Sequence, residues 1–343
     1  MTNHSRPERV LLAHGDGGRM THELVTGLFL PSYGNAVLER LGDSAHLPLP
    51  RNGEWGRMAF TTDSFVVKPL FFPGGNIGKL AVFGTINDLA VSGARPLFLS
   101  ASFIAAEGLS MGLLRRVAQS MGQAALRAKV AIVAGDTKVV AKGDADGLFI
   151  TTAGIGMVRP GLELEARRVK PGDRVLVSGP VGEHGITVIL ARQGLAVGGA
   201  LRSDCAPIHG LTEPLVARFD GVKFMRDPTR GGLATALCEL AGEAGVDIVV
   251  DESLIPVPSP VRAACDMLGL DPLYLANEGK FAAVVSPSQA DAAVAFLGKR
   301  RGGREACIIG RVEEGRGSVL LRTALGGTRR LEMLAGEPLP RIC

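Results

Sequence analysis

Apolar residues along the chain follow two rhythms that take turns. Short β-branched and aromatic runs predict strands, and apolar positions returning every three to four residues predict helices. "AFTTDSFVV" (59–67), "PLFLSASFIA" (96–105), "VAIVAGDTKVV" (130–140) and "GLFITTAGIGMV" (147–158) read as strands. Among them, "LSMGLLRRVAQSMGQAALRAK" (109–129) reads as an amphipathic helix with Arg115, Arg116 and Arg127 outward. "IGKLAVFGTINDLAVSGA" (77–94) has helical length but is apolar on nearly every face, the pattern of a buried helix. Proline, glycine and charge then cluster in "RPGLELEARRVKPGDRVLVSG", where a fresh strand starts at Arg174, so a domain boundary is predicted near 159–172. The second half repeats the alternation. Helices are predicted over 183–193, 211–219, 229–244, 258–268 and 288–299, and strands over 246–250, 281–286, 305–312 and 318–323. After about Leu334 the pattern stops.

The expected architecture is therefore α/β (α+β). It comprises a segment 1–40 with a glycine-rich loop, two α/β domains over 41–160 and 170–333, and a flexible tail 334–343. Hydrophobic residues make up 46% of the 343 and charged residues 21%, so each half can bury a core. Aromatics are only 5%, which disfavours base stacking, and the net charge of +4 comes without a block of like charges. No nucleic-acid partner is expected. No apolar run approaches the length of about 18 residues that a membrane span needs, and no signal peptide is expected. The five cysteines (Cys205, Cys238, Cys265, Cys307, Cys343) form no C-x-x-C pair and are odd in number, so a reducing, cytoplasmic setting is expected.

Candidate chemistry lies in the acidic residues. Asp63 interrupts a strand, Asp88 lies in the nearly apolar helix, Asp136 follows a hydrophobic strand, and Asp227 opens "RDPTRGG". A buried carboxylate needs a cap, a cation or a metal, and this set suits Mg2+ shared with substrate phosphates. Asp227 reads equally as turn chemistry before a helix capped by Thr229. Lys138 lies two residues after Asp136, so the two face one side of a strand; an edge-strand lysine is the plainer reading. Glu278, in "LYLANEGKF", is placed to accept a proton or to be an ordinary loop glutamate. "HGDGG" (14–18) offers backbone N–H groups to phosphate, but it is neither a Walker A motif nor G-x-G-x-x-G. The six histidines form no metal-binding pair, and G-x-S-x-G is absent. The chain ends in "GEPLPRIC", a thiol on a proline-stiffened tip.

Taken in order, "HGDGG", "TTDSFVVKPLFFPGGNIGKLAVFGTINDLAVSGA", "AGDTKVV", "SGPVGEHGI", "MRDPTRGG", "LGLDPLYLANEGK" and the terminal "PRIC" resemble the HypE family of nickel–iron hydrogenase maturation proteins, the carbamoyl dehydratases. That family belongs with the aminoimidazole ribonucleotide synthetases, selenophosphate synthetases and thiamine-phosphate kinases. The resemblance implies two α/β domains, with the N-terminal domains binding ATP and pairing as a homodimer through a shared β-barrel. It implies that the carbamoyltransferase HypF loads the terminal thiol. ATP and Mg2+ then drive dehydration to a thiocyanate, whose cyanide passes to iron on a HypC–HypD scaffold.

By motif, Cys343 would be the carrier, and Asp63, Asp88 and Asp227 would hold Mg2+ and phosphates. Lys138 and Glu278 would be the dehydration pair, and Asp136 and Thr137 would face the reacting end. Gly15, Gly17 and Gly18 would lie in a loop closing over ATP, with Lys79 among the nucleotide-binding positions. Where the family reads "PGGD", this chain has Asn76, a weaker ligand. The chemistry is coherent, because phosphorylation turns a poor leaving group, the amide oxygen, into a good one. Two other readings are a selenophosphate-synthetase-like phosphotransferase, opposed by the lack of any cysteine before Cys205, and a non-catalytic docking protein using its tail.

Overall fold

The computed structural model describes residues 18–24, 26, 41, 45–48, 56–141, 143–195 and 201–334. After a short helix α1 (Arg19–Leu24), the first sheet contains β1 (Ala45–Pro48), β2 (Arg57–Phe65), β5 (Ala94–Ala106), β6 (Ala131–Val140) and β7 (Leu148–Val158). Its order is β1-β2-β7-β5-β6. Only β5 and β6, joined through α3 (Met111–Ala128), run parallel; the other neighbours are antiparallel. Among the described residues the sheet is open, with β1 and β6 as edges, and closes no barrel. A small hairpin, β3 (Phe71–Phe72) with β4 (Gly75–Asn76), leads into α2 (Ile77–Val91).

Helix α2 organises the molecule. Its N-terminus is capped by Asn76, whose side chain accepts the Lys79 N–H at 3.0 Å. Thirteen of its fifteen residues are buried, the exceptions being Lys79 and Asp88. The all-round apolar sequence has a plain cause: the helix is packed on every side. Leu80, Val82, Phe83 and Ile86 join a core with β2, β5, β7 and α3 that also takes in Ile186, Val261 and Leu275 of the second half. Leu89, Ala90 and Val91 join another core with Ile208, Leu211 and Leu215. Gly84 lets α2 approach β2, since a Cβ there would lie 2.8 Å from the Phe65 ring.

The second sheet contains β8 (Arg174–Val177), β9 (Val222–Arg226), β10 (Asp247–Asp251), β11 (Ala282–Val285), β12 (Cys307–Glu313), β13 (Val319–Arg322) and β14 (Thr328–Leu331), in the order β14-β13-β10-β12-β8-β11-β9. Only β10 and β13 are parallel neighbours. Helices α4 (Glu183–Gln193), α5 (His209–Arg218), α6 (Gly232–Ala244), α7 (Ser259–Leu268) and α8 (Ala290–Gly298) complete this half. The central strands are covered on both faces. Val175, Val177, Ala282 and Val284 face the core with α6, while Leu176, Ala283 and Val285 face the core with α5 and α8. That is why "RVLV" and "AAVV" read as unbroken apolar runs rather than as alternation.

Five strands escape the sequence pattern: β1, the short hairpin pair β3 and β4, β9 and β14. In β9, "VKFMR", the charges suggest a loop, but each has an internal partner. Lys223 Nζ donates to both Asp173 oxygens at 2.7 and 2.8 Å, and Arg226 pairs with Glu239 of α6 at 2.5 Å. Among the described residues no helix is long and apolar enough to cross a membrane.

Candidate active site

Thr61 and Asp63 are two apart on β2 and so share a face, the one turned toward α2. The Thr61 hydroxyl donates to Asp88 Oδ2 at 3.1 Å, which links strand and helix. Asp63 Oδ1 accepts the Ser64 N–H at 2.8 Å and pairs with Arg230 Nη2 at 3.2 Å, and Arg230 comes from the second half of the chain. Burial nonetheless holds the Asp63 carboxyl above its usual range, outweighing the Arg230 guanidinium and the Ser64 N–H. A site where one arginine does not compensate a half-buried carboxylate gains from a further cation.

Asp227 and Glu278 lie on two loops of the second half that are fastened together. Asn277 Nδ2 donates to Pro228 O at 3.0 Å and to Leu275 O at 2.9 Å, and its Oδ1 accepts the Gly182 N–H at 2.7 Å. Gly232 must be glycine for the loops to touch: its φ is +62°, and a Cβ would lie 2.5 Å from Leu273 O. Asp227 is 7% exposed and Glu278 2%. The Glu278 carboxylate reaches across to α2, with Oε2 3.9 Å from where a Gly84 Cβ would stand, one helical turn from Asp88. The structure therefore gathers Asp63, Asp88, Asp227 and Glu278 around α2, at the junction of the two halves.

One residue of this junction was not singled out from the sequence. Asn87, 1% exposed, donates from Nδ2 to Ala206 O at 3.1 Å and to Glu278 O at 3.2 Å, and its Oδ1 accepts the Ile208 N–H at 3.0 Å. Every hydrogen bond crosses from α2 into the second half. The signal was present: a buried amide in an apolar helix needs partners as much as the neighbouring Asp88 does.

Asp136 and Lys138 lie elsewhere within one chain. They sit on the edge strand β6, exposed, in register with Ser102 and Ile104 of β5. The Asp136 row runs through Thr151 and Ser64, whose hydroxyls bond each other at 2.8 Å, whereas the neighbouring row of Thr152 and Asp63 faces α2. Asp136 and Lys138 thus point to the uncovered face of the sheet, along with the exposed Phe60, Phe98 and Ile104. Thr137 lies between them; its side chain is outside the described residues.

Asn76 is fully engaged as a helix cap, with its Nδ2 donating to Ser120 Oγ at 2.8 Å. Lys79 Nζ donates to Gly74 O at 2.6 Å. Gly18 is buried at the start of α1, and the adjoining Arg19 N–H donates to Leu334 O at 3.2 Å. The end of the glycine-rich stretch therefore touches the root of the tail. Gly15, Gly17 and Cys343 lie outside the described residues. No group of three or more His, Cys, Asp or Glu side chains is arranged to hold a metal among the described residues.

Two family models match the chain: the AIR synthase related protein N-terminal domain over residues 42–158 and its C-terminal domain over 170–322. The carbamoyl dehydratase HypE of Rhodobacter capsulatus is 49% identical over 340 residues, covering 98% of this chain and 99% of its own. A solved hydrogenase maturation protein HypE in complex with ATP superposes with a TM-score of 0.82 at 46% identity, covering 98% of this chain and 100% of that one. A HypE–HypF complex matches with a TM-score of 0.85 at 43% identity, over 91% of this chain and 99% of that one. With identity near one half over almost the whole length of both chains and a matching arrangement of both domains, the chain belongs to the HypE family of carbamoyl dehydratases, within the AIR synthase related proteins.

Proposed function

We propose that this protein uses ATP to dehydrate an S-carbamoyl group on its own Cys343, giving a thiocyanate that supplies cyanide to the iron of a nickel–iron hydrogenase. The observation that carries the reading is where the tail starts. The Tyr274 hydroxyl donates to Glu332 O at 3.0 Å, so the last described residues leave the body from the loop that bears Glu278, four positions further along. Four residues span at most about 14 Å. The nine residues after Leu334, two of them proline, would reach roughly 28 Å if extended at about 3.1 Å each. The thiol can therefore visit a partner's site and return to the junction around α2.

The steps balance as follows. The carbamoyl oxygen attacks the γ-phosphorus of ATP, releasing ADP while one N–H proton leaves. Loss of the second N–H proton then expels phosphate and forms the carbon–nitrogen triple bond. Glu278 is the proton acceptor in this reading. Its buried position against α2 would exclude the water that hydrolyses the phosphorylated intermediate. Lys138 would neutralise charge on the moving phosphoryl group, with Asp136 and Thr137 beside it.

These last three residues lie on the uncovered sheet face and edge, so the reading includes a homodimer. A second copy covers Phe60, Phe98 and Ile104, closes a shared barrel from two open sheets, and completes the site at that rim. Gly15, Gly17, Gly18 and Lys79 would bind the nucleotide, with Asn76 holding the helix start.

By residue type Asp63, Asp88 and Asp227 are hard oxygen donors suited to Mg2+; they do not form a ready three-ligand cluster among the described residues, so phosphates and water would have to supply most of the shell. Bound there, Mg2+ would neutralise phosphate charge. Loading by HypF and delivery to a HypC–HypD scaffold complete the proposal. The test is intact mass spectrometry after incubation with the carbamoyltransferase, carbamoyl phosphate and ATP. The chain should gain one carbamoyl group and then lose one water, and neither change should occur once Cys343 is removed. A truncated protein that still matures hydrogenase refutes the carrier role.

A further inference from the structure

A general base works only if its carboxylate is held in place, and the Glu278 peptide is gripped from both sides. Its N–H donates to Asp204 Oδ1 at 3.0 Å, and its carbonyl accepts the Ala206 N–H at 3.1 Å and Asn87 Nδ2 at 3.2 Å. At the next position only glycine fits, because a Cβ on Gly279 would collide with the Asp204 carbonyl oxygen. Lys280 follows. Its stem lies along Gly179, where a Cβ would be 3.1 Å from Lys280 Cε. This path brings Lys280 Nζ to 3.5 Å from Asp204 Oδ2 and 3.7 Å from Glu183 Oε2. The Asp204 side chain is 1% exposed, and its Oδ2 accepts no hydrogen bond among the described residues. A charge so enclosed is costly unless a cation stands beside it, and Lys280 is that cation.

We infer that Asp204, paired with Lys280, is the positioning residue that fixes Glu278 for proton transfer. This rests on the assignment of Glu278 as the base. Lys280 then contributes to turnover without touching the reacting atoms. Removing its charge leaves the enclosed Asp204 side chain without its counter-ion, so it shifts and the Glu278 loop loses its anchor. Lys280 also borders an open cavity of about 380 Å3 shared with Glu183, Arg301 and Arg304, which leaves room for a guanidinium in its place.

The experiment follows phosphate release and water loss in full-length carbamoylated protein supplied with ATP. Lys280→Met should lower kcat at least tenfold while KM for ATP stays within twofold, and Lys280→Arg should stay within threefold of wild type. The double variant Asp204→Asn/Lys280→Met keeps the Oδ1 acceptor without a buried charge, so it should recover most of the kcat lost by Lys280→Met. If Lys280→Met does not fold, Lys280→Gln takes its place and is read the same way. The inference is overturned by a wild-type kcat in Lys280→Met, by a loss confined to KM, or by a double variant no better than the single one. Glu278→Gln that loses water at the wild-type rate removes the assignment of Glu278 itself, a result distinct from these.

Discussion

Replacing Asn87 by alanine tests whether α2 fastens the two halves of the molecule together. The substitution removes three hydrogen bonds at a side chain that is 1% exposed. At about 1 kcal/mol net for each bond, with about 1 kcal/mol more for the void, the cost is about 4 kcal/mol. Unfolding entropy near 2.1 cal/mol/K per residue amounts to roughly 0.7 kcal/mol/K for this chain, so the melting temperature should fall by roughly 5–6 °C in scanning calorimetry. Asn87→Asp should cost more than Asn87→Ala, because it turns an oxygen toward the Ala206 and Glu278 carbonyls where the wild type has a donor. A fall below about 1 °C for Asn87→Ala, or an aspartate variant milder than the alanine one, would refute the fastening role.

Two further outcomes are expected. Glu278→Gln keeps the size of the side chain but not its basicity, so it should bind ATP as wild type does and stop at the carbamoylated form; wild-type water loss in that variant removes Glu278 from the mechanism. Asp63 has a carboxyl held above its usual range, so its contribution to stability is present at low pH and is lost as pH rises from about 3.9 through the raised value. Asp63→Asn should therefore melt higher than wild type near neutral pH in metal-free buffer and no differently in acid, and melting curves that stay parallel across that range would contradict the sign.

Much of the molecule could be read along the chain. The helices over 183–193 and 259–268 and the long strands of the first half follow from periodicity, and α2 was recognisable as buried from its apolar circumference. Asp88 stood out because a charge in such a helix needs a partner, and Thr61 is one. Strand β9 was hidden because Lys223 and Arg226 look solvent-facing until Asp173 and Glu239 are seen beside them. Asp204 was overlooked because its role lies in a contact with a backbone N–H 74 residues away.

Local pattern alone determined most of the helices and long strands, the two-part organisation and the types of residue available for phosphate chemistry, because strand and helix periods and the desolvation cost of a lone charge act at short range. The placement of those residues was decided by tertiary structure. Asp63, Asp88, Asp227 and Glu278 meet around α2 because the helix is shared by cores of both halves, while Asp136 and Lys138 turn to the other side of their sheet because side chains alternate along a strand. Which face a residue takes depends on pairing register and on what packs against the sheet, and distant segments supply both.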